Sequence, residues 1–327
     1  MGRHREIACF VVLAVVLSAW SIASAIAESA VESLFPKQNR SALRRATKTL
    51  IDTASNDTMI NGRAGFTTLA FGGVTAPEYR YIVGISYLKN GRQALCTGTL
   101  IDNQLVLTAA HCGCGTDYAV TQEMDMRDGK IIAVRDPPIL FDSLICQRSA
   151  IRAGYDLALL RLPSEKPAVS TEYKLIPKLA VETINLIKTG TDLTVLGYGL
   201  TEKRVSGIRM QASVPVFTPD CAMRQYVVAG CAPFFEMILS ASARTSGSRI
   251  ADTCSGDSGG PVFAMVPSEK GPKPELIAVT SRPAPIPHFD LEDHCGGGGI
   301  YTVVGRTDII TWLKANGLTE GPADGIK

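Results

Sequence analysis

The chain has 327 residues, room for one large or two modest domains with a substantial buried core. Apolar residues make up 46% and charged residues 20%, a globular composition, and 30 glycines with 18 prolines favour many turns over long helices. A net charge of only +2 excludes an electrostatic case for nucleic acid or an anionic membrane as partner.

Residues 1–27 read as a secretory signal peptide. Arg3 and Arg5 supply the positive start, residues 8–20 are apolar, and Ala25-Ile26-Ala27 offers a small-residue cleavage site. The apolar run is shorter than the ~20 residues that cross a bilayer. Secretion places the chain in an oxidising space, extracellular or, in a Gram-negative bacterium, periplasmic. Losing the leader removes Cys9 and His4, which leaves eight cysteines and the histidines His111, His288 and His294. Residues 28–69 combine a short basic stretch of helical spacing (41–54) with turn chemistry at Asn56-Asp57-Thr58 and Asn61-Gly62. That suits a pro-segment and an unanchored N-terminus equally.

From residue 79 onward the texture is all-β. Short β-branched runs at 81–87, 104–108, 130–134, 156–162, 192–196, 212–217, 276–280 and 299–304 are separated by Gly, Pro, Asp or Asn. Such a series predicts a sandwich or barrels. Residues 307–316 predict a helix, with Thr307 as N-cap, Ile309, Ile310 and Leu313 as its apolar face, and Gly317 as its stop.

Three segments carry chemistry. Leu107-Thr-Ala-Ala-His-Cys112 puts His111 at the end of an apolar strand, Tyr155-Asp156 puts an acid just before a strand too apolar to face solvent, and Cys254-Ser-Gly-Asp-Ser-Gly-Gly-Pro-Val262 sets Ser258 among glycines. A serine hydroxyl needs a positioned base, usually imidazole, to become a nucleophile. A carboxylate on the far ring nitrogen fixes the tautomer and steadies the imidazolium. Glycines around the serine let backbone N–H groups face a developing oxyanion. Each segment alone is a weak signal; in the order His, Asp, Ser on an all-β chain they are strong.

On these motifs, with residues 96–101, Gly197-Tyr198-Gly199, Gly299-Ile300-Tyr301 and Trp312, the sequence resembles the trypsin/chymotrypsin family of serine endopeptidases over residues 70–316. The resemblance implies two packed six-stranded antiparallel β-barrels with a C-terminal helix, and a protease domain over 70–327. It implies His111, Asp156 and Ser258 as catalytic triad, the Gly256 and Ser258 N–H groups as oxyanion hole, and Asp257 as acceptor of the new N-terminus after activation. Asp252 would floor the specificity pocket and select Arg or Lys, Gly299 would form its wall, and Ser281 would meet the substrate backbone. Implied partners are protein or peptide substrates and protein inhibitors, acting on a monomer, with no cofactor and no metal. The family pattern pairs Cys96 with Cys112 and Cys254 with Cys295. Cys221 has Cys231 as local partner, because Ser240 stands where the usual partner would be, and Cys114 with Cys146 remain.

The chain also departs from the family. Arg282-Pro283 replaces a usual Trp-Gly, and a positive Arg282 at the rim would repel basic substrates, recruit acidic ones or shield Asp252. Residues 284–294 form an extra-long loop with His288, Asp290, Glu292, Asp293 and His294, more in keeping with a solvated acidic loop than with metal ligation, since no ligand spacing is present. Neither Ala70-Phe71-Gly72-Gly73, preceded by Leu69, nor Met59-Ile60-Asn61-Gly62 follows a basic residue, as a trypsin-like activating cut would require. The competing class is a secreted, non-catalytic binding protein that kept the fold.

Overall fold

The computed structural model describes residues 73–319 apart from 149, 164–177, 180–182, 202, 240–251, 268, 270, 285–294 and 296. The expected leader, the 28–69 segment, Ala70-Phe71-Gly72 of the downstream candidate activation site, and His288 and His294 lie outside the described residues.

After a short β1 (Val74–Thr75), the chain forms a hairpin from β2 (Ile82–Lys89) and β3 (Arg92–Asp102). Asn90 and Gly91 close it with φ of 52° and 73°, the left-handed pair that a two-residue type I′ turn demands. β4 (Leu105–Thr108), β5 (Thr116–Thr121), β6 (Ile132–Ala133), β7 (Ile139–Leu140) and β8 (Ala158–Arg161) complete the first sheet in the order β6-β5-β2-β3-β4-β8-β7.

The second sheet contains β9 (Lys178–Leu179), β10 (Asp192–Gly197), β11 (Met210–Thr218), β12 (Glu236–Leu239), β13 (Pro261–Val266), β14 (Lys273–Pro283) and β15 (Gly299–Val303). Its strands run β11-β10-β13-β14-β15-β12, and β12 pairs back onto β11, so six strands close a ring. The two barrel-like sheets therefore hold more strands than six each. The second sheet holds eight and the first seven, and four of these are two-residue pieces: β1 and β9 on the second sheet, β6 and β7 on the first, with β9 pairing in parallel.

One apolar core runs through the first sheet and continues across the junction through Leu196, Tyr198, Phe263 and Val279, while Val195, Val214, Met237 and Ile277 fill the second ring. Arg209 is buried where the chain enters the domain. It donates to the carbonyls of Ala76 (2.7 Å), Pro77 (3.0 Å) and Gln122 (2.9 Å) and to the Tyr198 hydroxyl (3.1 Å), so its charge is met by oxygens rather than left bare.

A five-residue helix α1 (Arg224–Val228) precedes β12, and α2 (Thr307–Ala315) ends the domain. Ile309 and Leu313 bury the apolar face of α2, Gly317 ends it at φ 98°, and Trp312 meets Phe141 edge-on at 5.1 Å. Thr307 is the first helical residue, not the cap: Arg306 occupies that position, with no side-chain cap bond. Instead the Thr311 hydroxyl donates back to the Thr307 carbonyl (2.8 Å).

Candidate active site

β4 ends at Thr108, and a 3₁₀ turn over Ala110–Gly113 follows at once, with Ala110 and Cys112 buried as its anchors. This turns His111 out of the first sheet, its side chain 21% exposed. Asp156 lies just ahead of β8, fully buried. Since β4 and β8 are neighbours, with Thr108 opposite Ala158, the two residues meet. The His111 backbone N–H donates to Asp156 Oδ1 (2.9 Å), and Nδ1 stands 2.8 Å from Oδ2. A carboxylate can only accept, so Nδ1 carries the hydrogen and Nε2 of the neutral ring keeps the lone pair. The Ser281 hydroxyl, from β14, donates to Asp156 Oδ2 (2.6 Å). Burial pushes the Asp156 carboxyl up, but the His111 charge and the bonds from His111 and Ser281 outweigh it and hold the group below its ordinary value.

Ser258 stands in the turn before β13. Its carbonyl accepts from Thr97 N–H (2.9 Å), Gly259 N–H reaches the Thr280 carbonyl (2.8 Å), and Gly260 N–H reaches that of Asp257 (2.8 Å). Gly256 has φ 98°, a conformation that L side chains rarely adopt, and its carbonyl accepts from the Thr97 hydroxyl (2.9 Å). His111, Gly256 and Ser258 line a cleft of about 450 Å³ together with Tyr87, Leu95 and Leu200.

Asp257 points away from that cleft into the protein. Its carboxylate accepts from Gly199 N–H and Cys254 N–H, each at 2.8 Å, and a Cβ at Gly197 or Gly199 would land on it. Burial lifts its pKa from 3.8 to about 6, against the pull of those two bonds. Asp252 is 1% exposed, and its carboxylate accepts from Thr253 N–H (2.8 Å) and Gly298 N–H (2.9 Å). Gly299 begins β15, and two residues on, the Tyr301 hydroxyl lies 2.8 Å from that of Thr253. Burial, with the Asp252 charge nearby, pushes the Tyr301 phenol well up. The neighbouring segments 240–251 and 285–294 lie outside the described residues.

Arg282 does not stand at the rim as a bare charge. Its guanidinium forks onto Glu236, Nη1 to Oε1 at 2.6 Å and Nη2 to Oε2 at 2.8 Å, and Nη2 also reaches the Gly230 carbonyl (2.6 Å). No sequence motif marks Glu236. A lone acid in the apolar run Phe234-Phe235-Glu236-Met237-Ile238-Leu239 was its signal, because a buried carboxylate requires a partner.

Disulfides join Cys96 to Cys112, Cys114 to Cys146, Cys221 to Cys231 and Cys254 to Cys295. The donor atoms of Cys96, His111 and Cys112 cluster within 4.8 Å, but the two sulfurs are bonded to each other and offer no thiolate to a metal.

The family model for Trypsin matches residues 71–312. The chain belongs to the trypsin family. This trypsin-family chain is 30% identical over 259 residues to Serine protease 7 of Drosophila melanogaster, across 72% of its own length and 61% of that protein's. It is 28% identical to Phenoloxidase-activating factor 1 of Holotrichia diomphalia, across 74% of its length and 68% of that protein's. Among solved structures it shares the fold of HL collagenase, with a TM-score of 0.55 and 20% identity over 76% of this chain and 97% of that one. The chain thus spans about three fifths of the first relative.

Proposed function

We propose that this chain is a secreted serine endopeptidase, made as a precursor, that cuts peptide bonds after Arg or Lys through an acyl-enzyme. The observation that carries this reading is the 2.8 Å contact between His111 Nδ1 and Asp156 Oδ2, in a cleft that also holds Ser258. In the proposed reaction His111 Nε2 takes the Ser258 proton as Oγ attacks the substrate carbonyl, and returns it to the leaving amine. Asp156 holds the tautomer and stabilises the imidazolium without itself being protonated. Gly256 and Ser258 N–H groups would meet the oxyanion, a role worth about 10²–10³ in kcat for a single donor.

Asp252 as pocket floor supports the Arg/Lys preference, since a buried carboxylate rewards a cationic side chain and penalises an apolar one. The buried Asp257 supports the precursor state: among the described residues no cation pairs with it, and a new N-terminal ammonium would. Four disulfides suit an oxidising compartment.

The test is a cleavage profile on a mixed peptide library, with Ser258→Ala as control and fluorophosphonate labelling alongside. Cuts after Arg and Lys that vanish in the variant are expected, and Asp252→Ser should abolish the basic preference while sparing labelling of Ser258. Serine-dependent cuts elsewhere would discard the assignment of Asp252. An absence of both cuts and labelling would mean an unactivated precursor or the binding-protein alternative, and activity after cutting within 28–73 would separate the two.

A further inference from the structure

The Asp156 carboxylate is the centre of a closed circuit of hydrogen bonds that extends well beyond His111. Ser281 Oγ donates to Asp156 Oδ2 (2.6 Å), and Arg282 Nη1 donates to Ser281 Oγ (3.2 Å). Arg282 is forked onto Glu236, and Glu236 Oε1 accepts the backbone N–H of Gly154 (2.8 Å), two residues before Asp156. Glu236 Oε2 also accepts Ala232 N–H (2.9 Å). Glu236 is fully buried, and the Arg282 side chain is 19% exposed. One ion pair therefore steadies both the approach of the Asp156 backbone and the hydroxyl that meets its side chain.

We propose that Arg282 and Glu236 are positioning residues for the triad, with Arg282 acting through Ser281 on Asp156 and hence on His111. The inference rests on the triad reading above. A serine hydroxyl has one proton and a free rotor. Arg282 donates into its lone pair, which leaves the proton for Asp156. The hydroxyl is then held in one orientation, and each bond in the chain polarises the next. The pair is also electrically balanced. The cation and the anion largely cancel at the imidazole, so removing either one alone leaves a net charge close to His111. Other charged groups among the described residues of the elements around Asp156 include Arg161 on β8, which donates to the Asn316 carbonyl, Lys273 and Glu275 at the far end of β14, Asp142 paired with Arg148 after β7, Arg306 paired with Asp308, and Arg152, whose guanidinium lies 3.6 Å from the Tyr155 ring centroid.

The balance makes opposite predictions for the two partners. In Arg282→Met an uncompensated Glu236 carboxylate favours the imidazolium, so the acid limb of kcat/KM moves to higher pH. In Glu236→Gln the uncompensated guanidinium disfavours it, and the limb moves to lower pH. Both variants are expected to lose about tenfold in kcat with little change in KM, since both side chains are spent on each other and neither is among the proposed substrate-binding residues. Arg282→Met can fail to fold, because it strands a buried charge. The double variant Arg282→Met/Glu236→Gln removes both charges and is the safeguard. Its acid limb should return close to that of the parent while kcat stays low, because the Ser281 rotor is still released.

A second readout serves a precursor without turnover: the low-field proton resonance between His111 Nδ1 and Asp156 should broaden or shift upfield in the double variant. Shifts of opposite sign in the single variants, with the resonance perturbed, support the proposal. An active parent whose variants keep its pH profile, kcat and resonance overturns it and leaves the triad reading intact. A parent that, after proteolytic removal of the 28–69 segment, neither cuts nor reacts with fluorophosphonate overturns the triad reading, and this proposal with it.

Discussion

Thr97 on β3 reaches the Ser258 turn through two bonds and Tyr198 through a third. Its N–H donates to the Ser258 carbonyl (2.9 Å), its hydroxyl donates to the Gly256 carbonyl (2.9 Å), and the hydroxyl in turn accepts Tyr198 N–H (3.0 Å). One fully buried side chain thus ties the first sheet to the glycine whose N–H is proposed for the oxyanion. Thr97→Val keeps the shape and removes the hydroxyl, leaving a buried donor and a buried acceptor unmet. It should cost about 1–3 kcal/mol in chemical denaturation, and lower kcat more than KM, while Thr97→Ser restores both. Thr97 lies in the 96–101 motif, but its bonds cannot be read there, because its partner Gly256 is 159 positions away. His111, Asp156 and Ser258 were legible for the opposite reason. Each sits in a local frame, a strand end or a glycine turn, that reads without knowledge of its partner.

At the scale of elements, legibility followed periodicity and punctuation. β2, β4, β8, β10, β11, β14 and β15 all lie on runs whose alternation or β-branching marks them in sequence. β3 is the longest strand of the first sheet, yet Arg92-Gln93-Ala94 at its start and Gly98 within it read as loop. β13 opens on Pro261 directly after a glycine turn, so the motif hid the strand. β12 was obscured by Glu236, whose partner comes from β14. Helix α2 was plain from its spacing, and it does more than close the chain. Arg161 on β8 donates to the Asn316 carbonyl at its C-terminus (2.9 Å), and Thr319 N–H reaches Asp102 on β3 (3.0 Å). Leu313, fully buried, anchors the same helix in the core. Leu313→Ala should destabilise the protein by about 2–5 kcal/mol in a denaturant titration. The parent's cleavage preference should persist below the transition, because the helix touches none of the proposed substrate-binding residues.

For the whole molecule, the telling group is Asp257, buried against Gly199 and the 254–260 turn with its charge unmet by any cation among the described residues. Folding raises its pKa from 3.8 to about 6, chiefly by burial. Between those values the native chain holds a proton that the unfolded chain has released, so stability falls as pH rises. The contribution is complete below about pH 4 and is lost as pH passes through about 6. A shift of this size corresponds to about 3 kcal/mol. Thermal melts of the uncut chain from pH 4 to 8, beside Asp257→Asn, should show the parent's advantage over the variant shrinking across that window and then levelling. Parallel curves would mean that the carboxylate is solvated in solution. On the proposed precursor reading, this buried carboxylate is the route by which a cut elsewhere would act on the Ser258 turn. An ammonium docked on Asp257 would favour its ionised form, abolish the slope, and hold the Gly256–Ser258 turn by the residue between them.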